Sequence, residues 1–470
     1  MSAGADTAYR VADRVRPEGP WDIFAERIRR YEIHLNGRAV EMIRGPIELE
    51  GYGLRILRHS DGKTAVGFHA STDLSAEGVR EAVREAEAVS RYSVFPAKKV
   101  DRPGPAAAGS GPTVDVCDRN LWDRPLEYLQ EHVDALLAAF EGKSDILPSF
   151  GSLRATLSET SIANSAGLRL AYPHTTIDFE IAVKSFGGPE GAPPGEYWVN
   201  EASRRLEPAH LPSQVEEWCR YARDTRRAGA TPHGELPVVL PASVMTTILP
   251  SVIGSRLTGG ARLREIAPEL GTAWGAEGLT VRDDGLFPWG LSSAPVDDEG
   301  VPQARRTVLD HGKVSSLLYD TLYAGAFETQ STASGLRGIG LAGFRDWRKF
   351  LSPASPVSTT LVIDPGAGGR DEELLEAAGD GIWVQQLGWA IPDPISGAFG
   401  GELRIGYRIR HGKLAEPIRG GSVGGVVMGP PGTPSLLANV AAIGSTPTLC
   451  EWVSSPSVLV RPLTVAGVKT

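Results

Sequence analysis

The stretch that decides the fold class is residues 31–70, YEIHLNGRAVEMIRGPIELEGYGLRILRHSDGKTAVGFHA. It contains short runs of β-favouring residues, YEIHL, AVEMI, IELE, GLRILRH and TAVGFHA, separated by Gly, Asn and Asp. Such runs, broken by turn residues, predict antiparallel strands. A helix should follow, because Asp73 and Ser75 can cap it and Val79 and Val83 fall on one apolar face. The N-terminal part is therefore predicted to be a sheet with a helix against it.

Two changes in composition divide the remainder of the chain. Residues 103–113, PGPAAAGSGPT, have the composition of a linker, and a second boundary is predicted near residues 226–235. Further helices are predicted from Pro125, near residues 215–222, near 243–257 and at 371–378. We therefore predict an α+β protein. Its parts are an N-terminal sheet-and-helix domain (21–110), a middle α+β region (114–230) and a β-rich, barrel-like C-terminal domain (236–470).

Composition excludes several classes of protein. The 470 residues include 48 Lys and Arg against 57 Asp and Glu, and a net charge of −9 makes nucleic acid an unfavourable partner. Three separated cysteines give neither a disulfide framework nor a four-cysteine zinc site. The first residues lack an apolar signal segment, and Pro241 and Pro250 interrupt the most apolar stretch, 237–254. We expect a cytoplasmic protein with no membrane-spanning segment.

Three common catalytic patterns are absent or out of context. None of the nine histidines shows HExxH, HxH or HxxxH spacing. The G-x-S-x-G run at 420–424 is followed by prolines at 430 and 431 and by no histidine, so a glycine-rich turn is the better interpretation. The G-x-G-x-x-G run at 338–343 follows no β-run, so a close-packed loop is favoured over a dinucleotide site.

Three adjacent carboxylates, at residues 297–299, form a candidate functional site. They precede Gly300 and then Arg305 and Arg306. Carboxylates in this arrangement can hold a hard cation or transfer a proton if one is desolvated. The alternative is a solvated turn closed by salt bridges to the two arginines. The residues alone leave both interpretations open.

The segment around these carboxylates, SAPVDDEGVPQARRTVLDHGKVSSLLYD at 293–320, resembles the central signature of the TldD/PmbA family. Proteins of this family were described first as modulators of DNA gyrase and later as peptidase components. Other blocks similar to the family occur in the same order, at 51–75, 162–167, 331–335, 393–421 and 455–467. Six ordered blocks spanning the chain from about Tyr31 are far more specific than one motif.

The resemblance implies a two-subunit metallopeptidase in which one subunit binds zinc through HExxxH on an apolar helix. The corresponding segment here is VVLPASVMTTILPSVIGSRLTGG at 238–260, which places Pro250 and Ser255 at the histidine positions and Ser251 at the glutamate position. None of these can replace a zinc imidazole or a general-base carboxylate. Cys450, comparable with a cysteine ligand in zinc-bearing members, is better read as structural. The chain therefore resembles the subunit that holds no metal, with zinc expected in its partner.

The resemblance further implies a heterodimer with an HExxxH-bearing TldD-like homologue, acting on unfolded or extended peptides. It places a substrate-binding region along a central cavity, formed by Asp298, Glu299, Gly300, Tyr319, Ser331, Thr332 and Ser334. An extended peptide suits a β-rich cavity because main-chain pairing tolerates many sequences. Two alternatives stay open: a subunit of an amide hydrolase in antibiotic biosynthesis, and a non-catalytic, homodimeric peptide-binding protein.

Overall fold

The structure is a computed structural model that describes residues 2–105, 112–187, 193–338 and 347–467. Most of the predicted linker and most of the G-x-G-x-x-G run lie outside these residues.

The N-terminal part is built on one seven-stranded antiparallel sheet in the order β4-β3-β2-β1-β5-β6-β7. Its strands are β1 (Trp21–Asn36), β2 (Ala39–Ser60), β3 (Lys63–Ser71), β4 (Val94–Phe95), β5 (Ile146–Asn164), β6 (Arg169–Ser185) and β7 (Gly195–Ser203). The β1–β5 pairing joins strands from the predicted first and middle regions in a single sheet. The predicted domain boundaries themselves stay predictions.

The runs AVEMI, IELE and GLRILRH are one continuous strand of 22 residues rather than three. Sequence favoured breaks because Pro46 and Gly51 are poor strand residues. Pairing with β1 carries β2 through both positions, with a register shift between Arg30 and Glu32. Tertiary pairing therefore overrides local propensity here.

Helices cover one face of this sheet in two groups. Among the described residues they are α1 (Ala3–Val15), α2 (Ala76–Ser90), α3 (Arg119–Asp123), α4 (Pro125–Ala139) and α5 (His210–Arg227). The first two pack on the β1 end that begins at Trp21, and α4 and α5 pack on the other end around Ile33. Helix α1 was not predicted; Ser2 caps it, and it buries Ala8 and Tyr9.

The C-terminal part contains the closed barrel that the sequence predicted. Five strands form the ring β16-β9-β23-β19-β17, and the β16–β17 pairing closes it. They are β9 (Gly234–Leu240), β16 (Gly381–Gly388), β17 (Ala398–Arg410), β19 (Ser422–Val426) and β23 (Val458–Ala466). Helix α6 (Ala242–Arg256) follows β9, and its Met245, Ile248 and Leu249 share one apolar core with the barrel strands.

The remaining elements surround the barrel. The short strands are β8 (Gly229–Ala230), β10 (Val281–Asp284), β11 (Arg305–Asp310), β12 (Lys313–Val314), β13 (Gly335–Leu336), β14 (Ser355–Pro356), β15 (Leu361–Ile363), β18 (Lys413–Arg419), β20 (Val440–Ile443), β21 (Thr448–Cys450) and β22 (Val453–Ser455). The helices are α7 (Gly259–Leu263), α8 (Thr321–Ala326) and α9 (Asp371–Ala378), with one 3₁₀ turn at Lys349–Leu351. Across the described ranges, no helix has the length and apolar character needed to cross a membrane.

The two parts meet on the sheet face opposite helices α1, α2, α4 and α5. Phe24 and Ile28 of β1 pack there against Val296 and Phe350 of the C-terminal part. The ring of Phe350 lies directly over Gly51, where an added Cβ would come within 2.4 Å of it. A glycine in the middle of β2 is therefore required by this close approach.

Candidate functional site

Helix α6 presents one partly exposed face, which carries the three positions that the family resemblance aligns with the zinc motif. Pro250, Ser251 and Ser255 are half-buried on this face, while Leu249 and Val252 point into the barrel core. The Ser255 hydroxyl donates to the Ser251 carbonyl oxygen at 2.5 Å, so it bonds within the helix. These side chains offer no imidazole or carboxylate to a metal. Zinc does not fit this helix.

Cys450 lies on β21, which packs against α6, so it is close to the face just described. Burial, followed by the carboxylates of Glu201 and Glu451, raises the pKa of the Cys450 thiol to about 12. The thiol is therefore protonated at neutral pH, as expected for a partly buried cysteine that has carboxylates rather than cations nearby. Within the residues that the structure describes, no three His, Cys, Asp or Glu side chains group as a metal site would require.

The Asp-Asp-Glu turn at residues 297–299 is buried, with side chains at most 2% exposed. The interpretation as a solvated turn is therefore wrong. The expected partners are wrong too, because Arg305 binds Asp284 and Arg306 donates to the Thr332 carbonyl oxygen. Burial of three adjacent carboxylates is unfavourable unless each finds donors or cations.

Asp297 shapes the turn and links it to β13. One of its carboxylate oxygens accepts from the backbone N–H groups of Glu299 and Val301, at 3.0 and 2.9 Å. The other accepts from the Gly335 N–H at 3.1 Å. The Asp298 N–H in turn donates to the Gly335 carbonyl oxygen at 3.0 Å. The turn and β13 are thus held together by bonds in both directions.

Glu299 connects the two parts of the molecule. Its carboxylate pairs with the Arg55 guanidinium of β2 at 2.6 Å, and Arg55 also binds Asp22 of β1 at 2.8 Å. The same carboxylate accepts from the Thr321 N–H at 2.7 Å and the Thr321 hydroxyl at 2.6 Å. Thr321 begins α8, so Glu299 fixes the start of this helix relative to the N-terminal sheet.

The Asp298 carboxylate binds a different set of groups from the Glu299 carboxylate. Its carboxylate accepts from the Arg337 N–H at 2.7 Å and lies 3.5 Å from the Lys349 ammonium. The Arg337 side chain is fully buried, stacks 5.1 Å from the centre of the Phe24 ring and donates to the Ser352 carbonyl oxygen at 2.8 Å. Asp298 therefore anchors the segment that carries Phe350.

The other predicted site residues lie directly beyond the turn. The Tyr319 N–H donates to the Thr332 hydroxyl at 2.6 Å, and the Thr332 N–H donates to the Tyr319 carbonyl oxygen at 2.9 Å. The Thr332 and Ser334 hydroxyls are 2.9 Å apart, and the Tyr319 hydroxyl accepts from Arg262 at 2.9 Å. Ser331 and Thr332 are half-buried, whereas Tyr319 and Ser334 are buried. The segments that contain Tyr319 and Thr332 are thus joined by hydrogen bonds, and Ser331 and Thr332 remain partly exposed to solvent.

The structure therefore brings all seven predicted substrate-binding residues into one cluster. Asp298, Glu299 and Gly300 form its buried base, and the Tyr319 and Ser331–Ser334 segments rest on that base. Sequence reasoning missed the cations that pair with it, which are Arg55 on Glu299 and Lys349 on Asp298. A usable signal existed for Arg55, because it stands between Leu54 and Ile56 in an otherwise apolar run.

Carboxyl groups around this cluster that lack a cation of their own are shifted toward the neutral form. Burial and the nearby Glu299 carboxylate raise the pKa of Asp320 to about 8 and raise that of Asp297 well above its ordinary range. Burial also raises the pKa of Glu26, on the face of β1 beneath the turn, from 4.5 to about 8. His174, 4.0 Å from Glu26, does not compensate, because burial keeps its pKa low and the ring neutral.

We expect Glu26 to make the protein less stable as pH rises. The folded protein holds a proton on Glu26 that the unfolded chain has lost, between the unfolded pKa of 4.5 and the folded pKa of about 8. The free energy of unfolding must therefore fall across this range and level off above it. Glu26→Gln should remove this contribution, reducing the loss between pH 5 and pH 8.5 by about 1 kcal/mol or more.

Urea unfolding of both proteins at the two pH values measures this difference. Comparing the pH dependence of the two proteins cancels the contributions of Asp297 and Asp320, which both retain. Equal losses in wild type and Glu26→Gln would contradict the assignment of a raised pKa to Glu26.

Comparison with known proteins identifies relatives of this chain in sequence and in fold. Residues 233–467 match the family model described as the PmbA/TldA metallopeptidase C-terminal domain, and residues 21–90 match PmbA/TldA metallopeptidase domain 1. The structure of TldE from Thermococcus kodakarensis superposes with a TM-score of 0.78 at 18% identity, covering 99% of this chain and all of that one.

Two sequence relatives carry metalloprotease names. The TldD homologue of Haemophilus influenzae is 25% identical over 212 residues, which are 44% of this chain and 42% of that protein. Metalloprotease PmbA of Escherichia coli O157:H7 is 21% identical over 417 residues, covering 85% of this chain and 83% of that protein. The chain spans about half the length of the TldD homologues it matches.

The chain combines a helix-backed sheet with a closed barrel, and both family models match it. These observations define a protein of the metallopeptidase-related class. Within this class, the chain belongs to the TldD/PmbA family.

Proposed function

We propose that this chain is the metal-free subunit of a heterodimeric TldD/PmbA-type metallopeptidase that acts on unfolded or extended peptides. The observation that carries the proposal is the face of α6, where Pro250, Ser251 and Ser255 replace the HExxxH side chains. Zinc and the nucleophile that it supplies would come from an HExxxH-bearing partner subunit. The names of the relatives support a peptidase role for the family.

The contribution of this chain is to bind and orient substrate. The half-buried Ser331 and Thr332, beside Tyr319 and Ser334, would form the surface against which an extended peptide lies. The buried base of Asp298, Glu299 and Gly300 acts through these segments by fixing their position. Correct positioning of a peptide bond contributes several kcal/mol to catalysis, so a subunit without metal can still be required for the reaction.

The isolated chain should hold no stoichiometric zinc, because the α6 face offers no ligands and the described residues contain no group of three His, Cys, Asp or Glu side chains around Cys450 that could hold a metal ion. Metal analysis of the purified chain by mass spectrometry tests this expectation. One zinc per chain that disappears when histidines of this chain are replaced would overturn the proposal.

Peptide cleavage should appear only when the chain is combined with an HExxxH-bearing homologue. The assay compares each subunit alone with the co-expressed pair, using an unstructured peptide. The matched control replaces the motif glutamate of the partner by Gln, which keeps the assembly but removes the general base. Cleavage by this chain alone that resists chelators would contradict the proposal. A pair that hydrolyses only a non-peptide amide would favour the biosynthetic alternative.

A further inference from the structure

The outer face of the N-terminal sheet carries a cleft that the proposed function does not use. It opens between the two helix groups, where β1 passes from α1 and α2 to α4. Its volume is about 200 Å³, and it is lined by Arg27, Arg29, Glu48, Trp122, Leu157 and Glu159. Side chains alternate along β1, so Arg27 and Arg29 point away from the face on which Ile28 meets the C-terminal part. The cleft is separated from the buried turn by the sheet.

Two guanidinium groups in this cleft are within ion-pair distance of no carboxylate in the described part of the chain. Neither Arg27 nor Arg29 forms an ion pair or side-chain hydrogen bond with any residue in the described ranges; Arg29 instead stacks 5.2 Å from the centre of the Trp122 ring. The two arginines are two positions apart on one strand, so they lie side by side on one face. Adjacent unpaired guanidinium groups favour a bidentate anion such as a carboxylate.

The other walls add an opposite charge and an apolar surface. Glu48 of β2 lies directly across from Arg29 and is exposed, and Glu159 of β5 lies across from Arg27. A simple anion would meet these carboxylates as well as the arginines, so charge complementarity favours a ligand with both signs. Trp122 and the buried Leu157 supply the apolar wall that such a ligand's side chain would contact.

We propose that this cleft binds a small zwitterion, namely a free amino acid or a dipeptide with an apolar side chain. Its carboxylate lies between Arg27 and Arg29, its ammonium group faces Glu48, and its side chain packs on Trp122 and Leu157. The volume accommodates one such ligand and no folded partner. The assignment is independent of the proposed peptidase activity, because it rests on the opposite face of the sheet.

Calorimetric titration with L-phenylalanine tests the proposal, using three analogues that each lack one feature. Phenylacetate lacks the ammonium group, phenethylamine lacks the carboxylate, and N-acetylphenylalaninamide lacks both charges. We expect L-phenylalanine to bind with a millimolar or tighter Kd and each analogue to bind about tenfold more weakly or worse. Equal binding of all four ligands, or no heat from L-phenylalanine up to about 10 mM, would overturn the proposal.

Variants of the cleft residues test whether L-phenylalanine binds in this cleft. Arg29→Gln and Glu48→Gln should each weaken binding of L-phenylalanine about tenfold, because each removes one charged contact. Glu48 is exposed, so this variant folds even if Arg29→Gln does not. Arg80→Gln, on the exposed face of α2, is the matched control and should bind like wild type. Unchanged binding in both cleft variants would place the ligand elsewhere and contradict the assignment.

Discussion

Glu299→Ala should lower the free energy of unfolding by about 3–5 kcal/mol, because it breaks a buried ion pair. The substitution removes one of the two carboxylates paired with the Arg55 guanidinium among the described residues, and it removes the acceptors of the Thr321 N–H and hydroxyl. Arg55 is itself 2% exposed, so water cannot replace the lost carboxylate. Chemical denaturation of the purified chain measures this loss.

Two further variants distinguish this explanation from loss of side-chain volume. Glu299→Gln keeps the volume and one acceptor, so it should destabilise less than Glu299→Ala but still measurably. Glu328→Ala removes a carboxylate that pairs with Lys98 on the surface, so its effect on stability should be small. If Glu299→Ala cost no more than Glu328→Ala, the turn would not be a buried link between the two parts.

Phe350→Ala should cost about 3–5 kcal/mol, the range for truncating a buried aromatic side chain. The ring is fully buried between the two parts of the molecule, and glycine at position 51 of β2 allows it to lie against the strand. The cavity left by alanine cannot collapse easily, because β2 is held on both sides by β1 and β3. Thermal and denaturant unfolding of the variant measure the effect.

The neighbouring Leu351→Ala is the matched control. Leu351 belongs to the same 3₁₀ turn but is 43% exposed, so its truncation should cost well under half as much. Similar losses in the two variants would show that the turn, rather than the Phe350 ring, carries the contact between sheet and barrel.

Much of the fold followed from local pattern. The strands of the first sheet, the helices beginning at Ala76, Pro125 and Ala242 and the acidic helix at 371–378 all have periodicity that limits them to one structure. Helix α1 was missed because its buried face consists mostly of alanine, which indicates a core face only weakly. Strand β2 was broken into pieces for the converse reason, since its Pro and Gly residues are tolerated only through pairing and packing.

The candidate site was likewise predicted from the sequence only in part. The blocks similar to the family identified residues 297–300, Tyr319 and Ser331–Ser334 as candidate site residues. The sequence also shows which side chains stand at the positions of α6 that the resemblance aligns with the zinc motif. The sequence could not show whether the carboxylates were solvated, because burial depends on contacts between residues far apart in the chain. Arg55 and Glu299 are separated by 244 positions, and only the tertiary structure makes them neighbours.

The sequence by itself determined that α6 carries no His, Cys, Asp or Glu, the side chains that hold zinc. It also determined the alternation of strands and helices, since hydrophobic period is local. Only the tertiary structure decided that the Asp-Asp-Glu turn is an internal link rather than a surface turn. The physical reason is that a carboxylate's charge state and partners depend on its surroundings, and these are assembled here from β1, β2, α8 and β13.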